Sequence, residues 1–342
     1  MDCSFGEHPV NVGFYTSDLN VRGTTQSIYN YAKYNQLLLG NKSFIFYDKH
    51  SIFSDRDEEE RKSIATNTDM IKKFKDIFEN VIALNKFEDI DVFVDMFDIK
   101  ILFLEVEGSS DNKLSKIAKN IVHCVFNCNN PRGDVYCSIS PWVHNNNGKY
   151  PVIPYIVNLP EHNDNMRDIL NIPNDAIVYG RIGGYYQFDI EYAQEAVYEY
   201  ALNNPNTYFI FVCSAQFCPT LKNIIHLDVI TNDYEKREFI NTCDAMIHGR
   251  KQGETFGMAI AEFSVCNKPV ISSPIGDPAH THYLREKGIW YNNKNDLLNT
   301  FNTFQNIGKE KLNSSDWTTE YNKMTPKYIM EIFNDVIKKI IS

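Results

Sequence analysis

Basic residues are scarce in this 342-residue chain: 34 Lys+Arg stand against 44 Asp+Glu, a formal net charge of −10 at pH 7. That balance excludes sequence-independent binding to nucleic acid or to anionic membranes, since both need a basic surface. No run approaches the roughly 18 consecutive apolar residues of a membrane span, so no integral membrane segment is expected. The opening MDCSFGEHPVNVGFY lacks a basic stretch followed by an apolar one. It reads as a cytoplasmic protein rather than as one with a secretory leader. The eight cysteines are scattered (Cys3, Cys124, Cys128, Cys137, Cys213, Cys218, Cys243, Cys266), and no pair has C-x2-C spacing. Cys124 and Cys128 come nearest to a metal motif, but free thiols in a reducing compartment are the simpler reading. Short-period repeats and low-complexity tracts are also missing. What remains is 43% hydrophobic and 23% charged, the mix of an ordinary folded protein, at a length that suggests two domains of about 150 residues.

Apolar runs alternate with segments of helical period, which predicts α/β layers on parallel sheets. A strand is expected over 10–15, then a polar glycine-containing loop at 16–25 and a helix over 27–39 that stops at Gly40. Further strands are expected at 43–47, 81–84, 99–104 and 121–126, with the charged segment 48–62 as a loop entering a helix. Asn145, Asn146, Asn147, Gly148, Pro151, Pro154 and Pro160 then cluster around an apolar run at 152–157, which marks a domain boundary. Beyond it, strands are expected at 176–181, 207–213, 224–227, 245–248, 269–272 and 288–291, with helices at 189–203, 233–243 and 256–266. A last helical region spans 318–341, with Tyr321, Met324, Tyr328, Ile332, Val336 and Ile340 as its apolar stripe. The expected architecture is two Rossmann-like, doubly wound domains facing each other across a cleft, where ligands bind at the carboxyl edges of the sheets.

The stretch from Asp244 to Glu262, followed by Pro269-Val270-Ile271 and Gly276, carries the chemistry. A buried strand at 245–247 opens into a polar loop ending at Glu254, and a helix starts near Phe256 with Thr255 as its expected N-cap. Gly257 in the first turn lets a phosphate approach free backbone N–H groups, with the positive end of the helix dipole behind them. Glu262, two turns in, is placed to accept paired hydrogen bonds from a vicinal diol. A diphosphate between two carboxylates, one for a ribose and one for a sugar, describes a nucleotide-sugar site. Bland readings coexist with this one: Arg250 and Lys251 also read as a solvated basic pair, and Arg181 as a partner for a surface carboxylate. His280 and His282, at i,i+2, do not share a helix face and suggest no metal. Gly180, Gly183 and Gly184 lack the G-x-G-x-x-G spacing of a dinucleotide loop.

The run CDAMIHGRKQGETFGMAIAEFSVCNKPVI resembles glycosyltransferase family 4 (the group 1 family) of GT-B fold retaining glycosyltransferases. That family reads aD-x-x-x-x-S-x-x-E-G-F-G-x-x-x-x-E, with an E-x7-E pair that Glu254 and Glu262 match. The resemblance implies a GT-B fold: 1–155 as the acceptor-side domain, 156–316 as the donor-side domain, and a helix in 317–342 crossing back to the first. It implies a metal-independent, retaining hexosyltransferase with a UDP- or GDP-sugar donor and a glycan, lipid or protein acceptor. Glu254 would meet the donor sugar and Glu262 the ribose, with Thr255, Phe256 and Gly257 beside the phosphates. Arg181, ending the strand Val178-Tyr-Gly-Arg181, would meet the diphosphate. Where the family places a Lys after that Arg, this chain has Gly183-Gly-Tyr-Tyr-Gln187. Arg250 and Lys251 are the candidates to supply that charge. Leu227 ends the strand implied to hold the base, and Gly23 the loop that approaches donor phosphate. His123 and Asn127 are the acceptor-side candidates. Two rivals share the fold: a sugar-nucleotide epimerase and a non-catalytic nucleotide-sugar-binding relative.

Overall fold

The computed structural model describes residues 9–49, 58, 60, 65–109 and 111–341. Its chain divides into two compact units, one running to Ile156 and taking in the C-terminal stretch from Met324, the other spanning Val157–Lys323. The first unit is built on β1 (Asn11–Thr16), β2 (Lys42–Asp48), β3 (Asn80–Leu84), β4 (Ile101–Val106), β5 (Lys119–Cys124) and β6 (Val135–Ser138). These strands pair in parallel in the order β3-β2-β1-β4-β5-β6. Every residue of β4 is buried, as the near-continuous apolar run ILFLEV requires of a parallel strand covered on both faces.

Helices α1 (Gly23–Leu37), α2 (Thr68–Lys75) and α3 (Ile90–Met96) link those strands, and the last helix of the chain, here α10 (Pro326–Ile341), belongs to the same unit. Proline at the first helical position starts α10, and Thr325 Oγ1 accepts from the Tyr328 amide. Its buried face is Ile329, Met330, Phe333, Val336 and Ile337. Of the stripe expected from sequence, Tyr321, Met324 and Val336 are buried and Ile332 and Ile340 half-buried, but Tyr328 is 47% exposed, because Phe333 faces the core and stacks on Phe14 and Tyr31. The expected continuous helix over 318–341 is also two pieces, a short 3-10 turn at Glu320–Lys323 and then α10. The segment 48–62 lies mostly outside the described residues, as does Cys3.

The second unit repeats the scheme with β7 (Ile177–Ile182), β8 (Thr207–Val212), β9 (Ile224–Leu227), β10 (Ala245–His248), β12 (Val270–Ser272) and β14 (Ile289–Trp290). Their order is β14-β12-β10-β7-β8-β9, and a two-stranded ladder joins β11 (Gly253–Glu254) to β13 (Asp277–Pro278). Between the strands come α4 (Glu191–Asn203), α5 (Asp233–Thr242), α6 (Met258–Val265) and α7 (Ala279–Leu284), and after them α8 (Lys294–Ile307) and α9 (Lys309–Ser314). Tyr179, Phe209 and Phe301 form the aromatic centre of the core, with ring centroids 4.8–5.3 Å apart. Strand order reverses direction between β7 and β10, so the loops leaving those two strands flank the crevice where doubly wound sheets bind ligands. No helix among the described residues is long and apolar enough to cross a membrane.

Candidate active site

Two strands bring the chemistry to that crevice. All of β10 is buried, and it delivers His248 to the carboxyl edge of the sheet. The chain then loops back through Gly249–Gln252 and enters the short ladder with β13, where the Asp277 amide bonds the Gln252 carbonyl at 2.6 Å. Gly276 permits this crossing: its φ is +78°, and a Cβ there would lie 2.2 Å from the Gln252 backbone. Glu254 is thereby clamped beside β10. Its Oε1 accepts from His248 Nε2 at 3.1 Å and its Oε2 from Arg250 Nη1 at 3.1 Å. A carboxylate only accepts, so the hydrogen on His248 Nε2 is fixed, while Nδ1 faces Ser272 Oγ at 2.8 Å. Burial opposes ionisation of Glu254, but Arg250, His248 and His280 outweigh it and bring its pKa down to about 2. Behind this cluster His280 donates through Nε2 to the Ser273 carbonyl at 3.0 Å. Burial first, then His248, lowers its pKa to about 4, so it is neutral at pH 7. Ser273 Oγ is buried without a hydrogen-bond partner.

Strand β7 contributes Arg181, which is 2% exposed. Its guanidinium donates to Ser214 Oγ at 3.1 Å and to the Gly184 carbonyl at 3.0 Å. No carboxylate among the described residues lies within 4.0 Å of it, and burial pulls its pKa down to about 10, partly offset by Cys213 and Glu254. A buried cation held by neutral partners is an anion site in waiting.

Helix α6 starts at Met258, two residues later than the sequence implies, and Thr255 is not its cap. Gly257 holds that position in the left-handed region at φ +85°, with no side-chain cap bond. The amides of the first turn have no acceptor within the helix. Phe256 lies beneath, packed on Tyr283 and Tyr321, whose hydroxyl bonds the Phe256 carbonyl. Further along α6, Glu262 Oε1 pairs with Lys236 Nζ of α5 at 2.8 Å, both groups buried. Burial disfavours the Lys236 charge, but Glu262 and Asp233 outweigh that and raise its pKa.

The structure brings Glu254 and Arg250 together, and turns Lys251 elsewhere: its amide bonds Asp189 and its ammonium pairs with Glu191 on the surface. Leu227 ends β9, and its carbonyl accepts from the Cys213 amide. In the first unit Gly23 opens α1. His123 is fully buried and donates through Nε2 to the Ile153 carbonyl at 2.9 Å, beside Glu105, which Ser27 and Tyr155 hold at 2.8 Å each. Asn127 sits in the tight loop after β5, its amide on the Glu107 carbonyl. Sequence reasoning missed His248, His280 and Lys236. The last had a signal, since a Lys four residues after the capping Asn232 falls on the inner face of a short helix. No group of three His, Cys, Asp or Glu among the described residues could hold a metal.

Residues 211–307, which span β8 to α8, match the model of glycosyl transferases group 1. A glycosyltransferase from Rickettsia africae superimposes with a TM-score of 0.68 at 15% identity, covering 98% of this chain and 99% of that one. HepE of Anabaena in complex with UDP-glucose gives 0.65 at 12% identity, over 96% and 99%. The fold is GT-B. A putative UDP-N-acetylglucosamine 2-epimerase from Listeria monocytogenes shares it, with a TM-score of 0.59 at 10% identity over 97% and 98%. No curated protein matches the sequence. The group 1 match supports glycosyl transfer, and it falls on the part of the GT-B chain that contains Glu254, Arg250, Lys236 and Glu262.

Proposed function

We propose that this GT-B protein is a metal-independent, retaining glycosyltransferase that moves a sugar from a UDP- or GDP-sugar to a hydroxyl of a glycan, lipid or protein. The observation that carries the proposal is the pairing, at the switch point of the second sheet, of a carboxylate held ionised with a buried Arg that has no carboxylate partner. Arg181 meets the diphosphate, and the first-turn amides of α6 supply further N–H groups as negative charge develops on the leaving group. Arg250 and His248 are positioning residues: they consume one lone pair on each oxygen of Glu254 and leave the others for donor-sugar hydroxyls. Glu262 keeps one oxygen for the ribose diol while Lys236 fixes the other. With no enzymic nucleophile in the second unit's cluster, the acceptor attacks from the side the diphosphate leaves, and the departing phosphate takes the hydroxyl proton.

The test is nucleotide release from UDP-glucose and GDP-mannose in EDTA, with and without acceptor mixtures, and with the anomeric configuration of any product read by NMR. Acceptor-dependent release with retention supports the reading. Epimerised donor without acceptor would assign the chain to the sugar-nucleotide epimerases that share the fold. Donor binding with no turnover at all would assign it to the non-catalytic relatives.

A further inference from the structure

The second unit carries another polar concavity at the opposite edge of its sheet. Asp244 immediately precedes β10, Lys268 precedes β12 by two residues and the Ala176 carbonyl lies just before β7, whereas His248, Ser272 and Arg181 stand at or near the carboxyl ends of those same strands. Around Arg167, Asn174, Asp244, Lys268, Lys309 and Asn313 lies a cavity of ≈ 430 Å³, room for a solute several times the size of a water molecule.

Its charges do not cancel. The carboxylate of Asp244 is fully engaged: Oδ2 accepts from Arg167 at 2.8 Å and from the Val178 amide at 2.9 Å, and Oδ1 from Asn313 at 2.9 Å. Arg167 completes its bonds on the Pro173 and Ala176 carbonyls, so this pair is a closed structural unit. Two half-buried ammonium groups are left over. Lys309 donates to the Asn174 carbonyl at 2.6 Å, and neither it nor Lys268 has a carboxylate within 4.0 Å among the described residues. Burial lowers the pKa of both; for each the Arg167 charge works in the same direction while Asp244 works against it, and at Lys309 Asp175 works against it as well. In a protein with a net charge of −10, two cations left without carboxylates in one concavity are a local excess of the opposite sign.

We propose that this cavity binds a phosphate dianion, as inorganic phosphate or as the phosphate monoester of a sugar. Two ammonium groups match the two negative charges of the dianion. The site is separate from the one that carries the glycosyl transfer reading and does not depend on it.

The test is equilibrium dialysis of the full chain against labelled inorganic phosphate and, separately, glucose 6-phosphate, in chloride buffer of fixed ionic strength. Binding of at least one probe is expected in Arg181→Gln, which removes the buried cation of the other edge, and in that background it should weaken about tenfold or more with Lys268→Gln/Lys309→Gln. Tighter binding of glucose 6-phosphate identifies the monoester as the ligand, and equal binding identifies free phosphate. Lys268→Arg/Lys309→Arg, which keeps both charges, should retain binding and serves if the Gln variant folds poorly. No binding at millimolar probe, loss of binding in Arg181→Gln, or undiminished binding in a folded Lys268→Gln/Lys309→Gln protein each overturns the proposal.

Discussion

Replacing Arg250 by Gln should release the Glu254 carboxylate and raise its pKa. In the native protein that group falls from an ordinary 4.5 to about 2, a difference worth about 3 kcal/mol. Because the folded value lies below the ordinary one, this stabilisation is complete above about pH 4.5 and is lost as pH falls towards 2. Arg250 is the largest of the contributions that lower it, through a bond of 3.1 Å between side chains only 12% and 18% exposed. Arg250→Gln should therefore cost about 2 kcal/mol at pH 7, or roughly 4–8 °C for a unit of this size. Glu254→Gln leaves Arg250 and His248 facing a neutral amide and should cost a similar amount. The double variant should cost less than the two together, with a coupling of at least about 1 kcal/mol. Calorimetric melting of all four proteins at pH 7 and at pH 3 measures it. At pH 3 the wild type keeps its Glu254 ionised, so Arg250→Gln should still destabilise it. Additive effects at both pH values would refute the clamp.

Other substitutions separate stability from binding. Arg181→Met removes a buried cation that no carboxylate balances, so melting should hold or rise while affinity for UDP falls about tenfold or more by calorimetric titration. Lys236→Met strands the buried Glu262 carboxylate and should cost about 3–5 kcal/mol; Lys236→Met with Glu262→Leu should recover most of the melting temperature and none of the donor affinity. Gly257→Ala forces a left-handed alanine at a cost of about 1–2 kcal/mol, with its methyl 3.3 Å from the Glu254 side chain. Donor affinity should fall with the melting temperature in that variant, and unchanged affinity would mean that the first turn of α6 does not meet the donor.

Much of the fold was legible because parallel strands buried on both faces are continuous apolar runs. TYFIFV of β8 can scarcely be anything else. The short strand β6, VYCS, was missed because four residues between polar turns carry no period. The face of α10 was read only in part, right at Val336 and wrong at Tyr328, because Ile329, Met330, Ile332 and Phe333 stand close together and only the packing of Phe333 on Phe14 and Tyr31 selects the buried side. In the candidate site, Glu254 and Glu262 stood out through an eight-residue separation that is preserved whatever the loops do, and Arg181 through the strand end Val178-Tyr-Gly-Arg181 that the family resemblance singles out. His248 and Lys236 did not. Their roles depend on contacts across 6 and 26 residues, which follow from how β10 meets its loop and how α5 meets α6. The same limit explains Lys251. Beside Arg250 in sequence it looked equivalent, yet the turn after β10 sends one side chain to Glu254 and the other to Glu191.

We propose that the carboxyl edge of the second sheet binds a nucleotide-sugar through Arg181 and Glu262. A thermal-shift panel of UDP-, GDP-, ADP- and dTDP-sugars in EDTA, run on wild type, Arg181→Gln and Glu262→Gln, tests it most directly. A ligand at about 100 times its Kd should add about 2.7 kcal/mol, a shift of several degrees. Such a shift is expected for one nucleotide in the wild type and should be lost in both variants. A shift that survives both substitutions, or none with any donor, would contradict it.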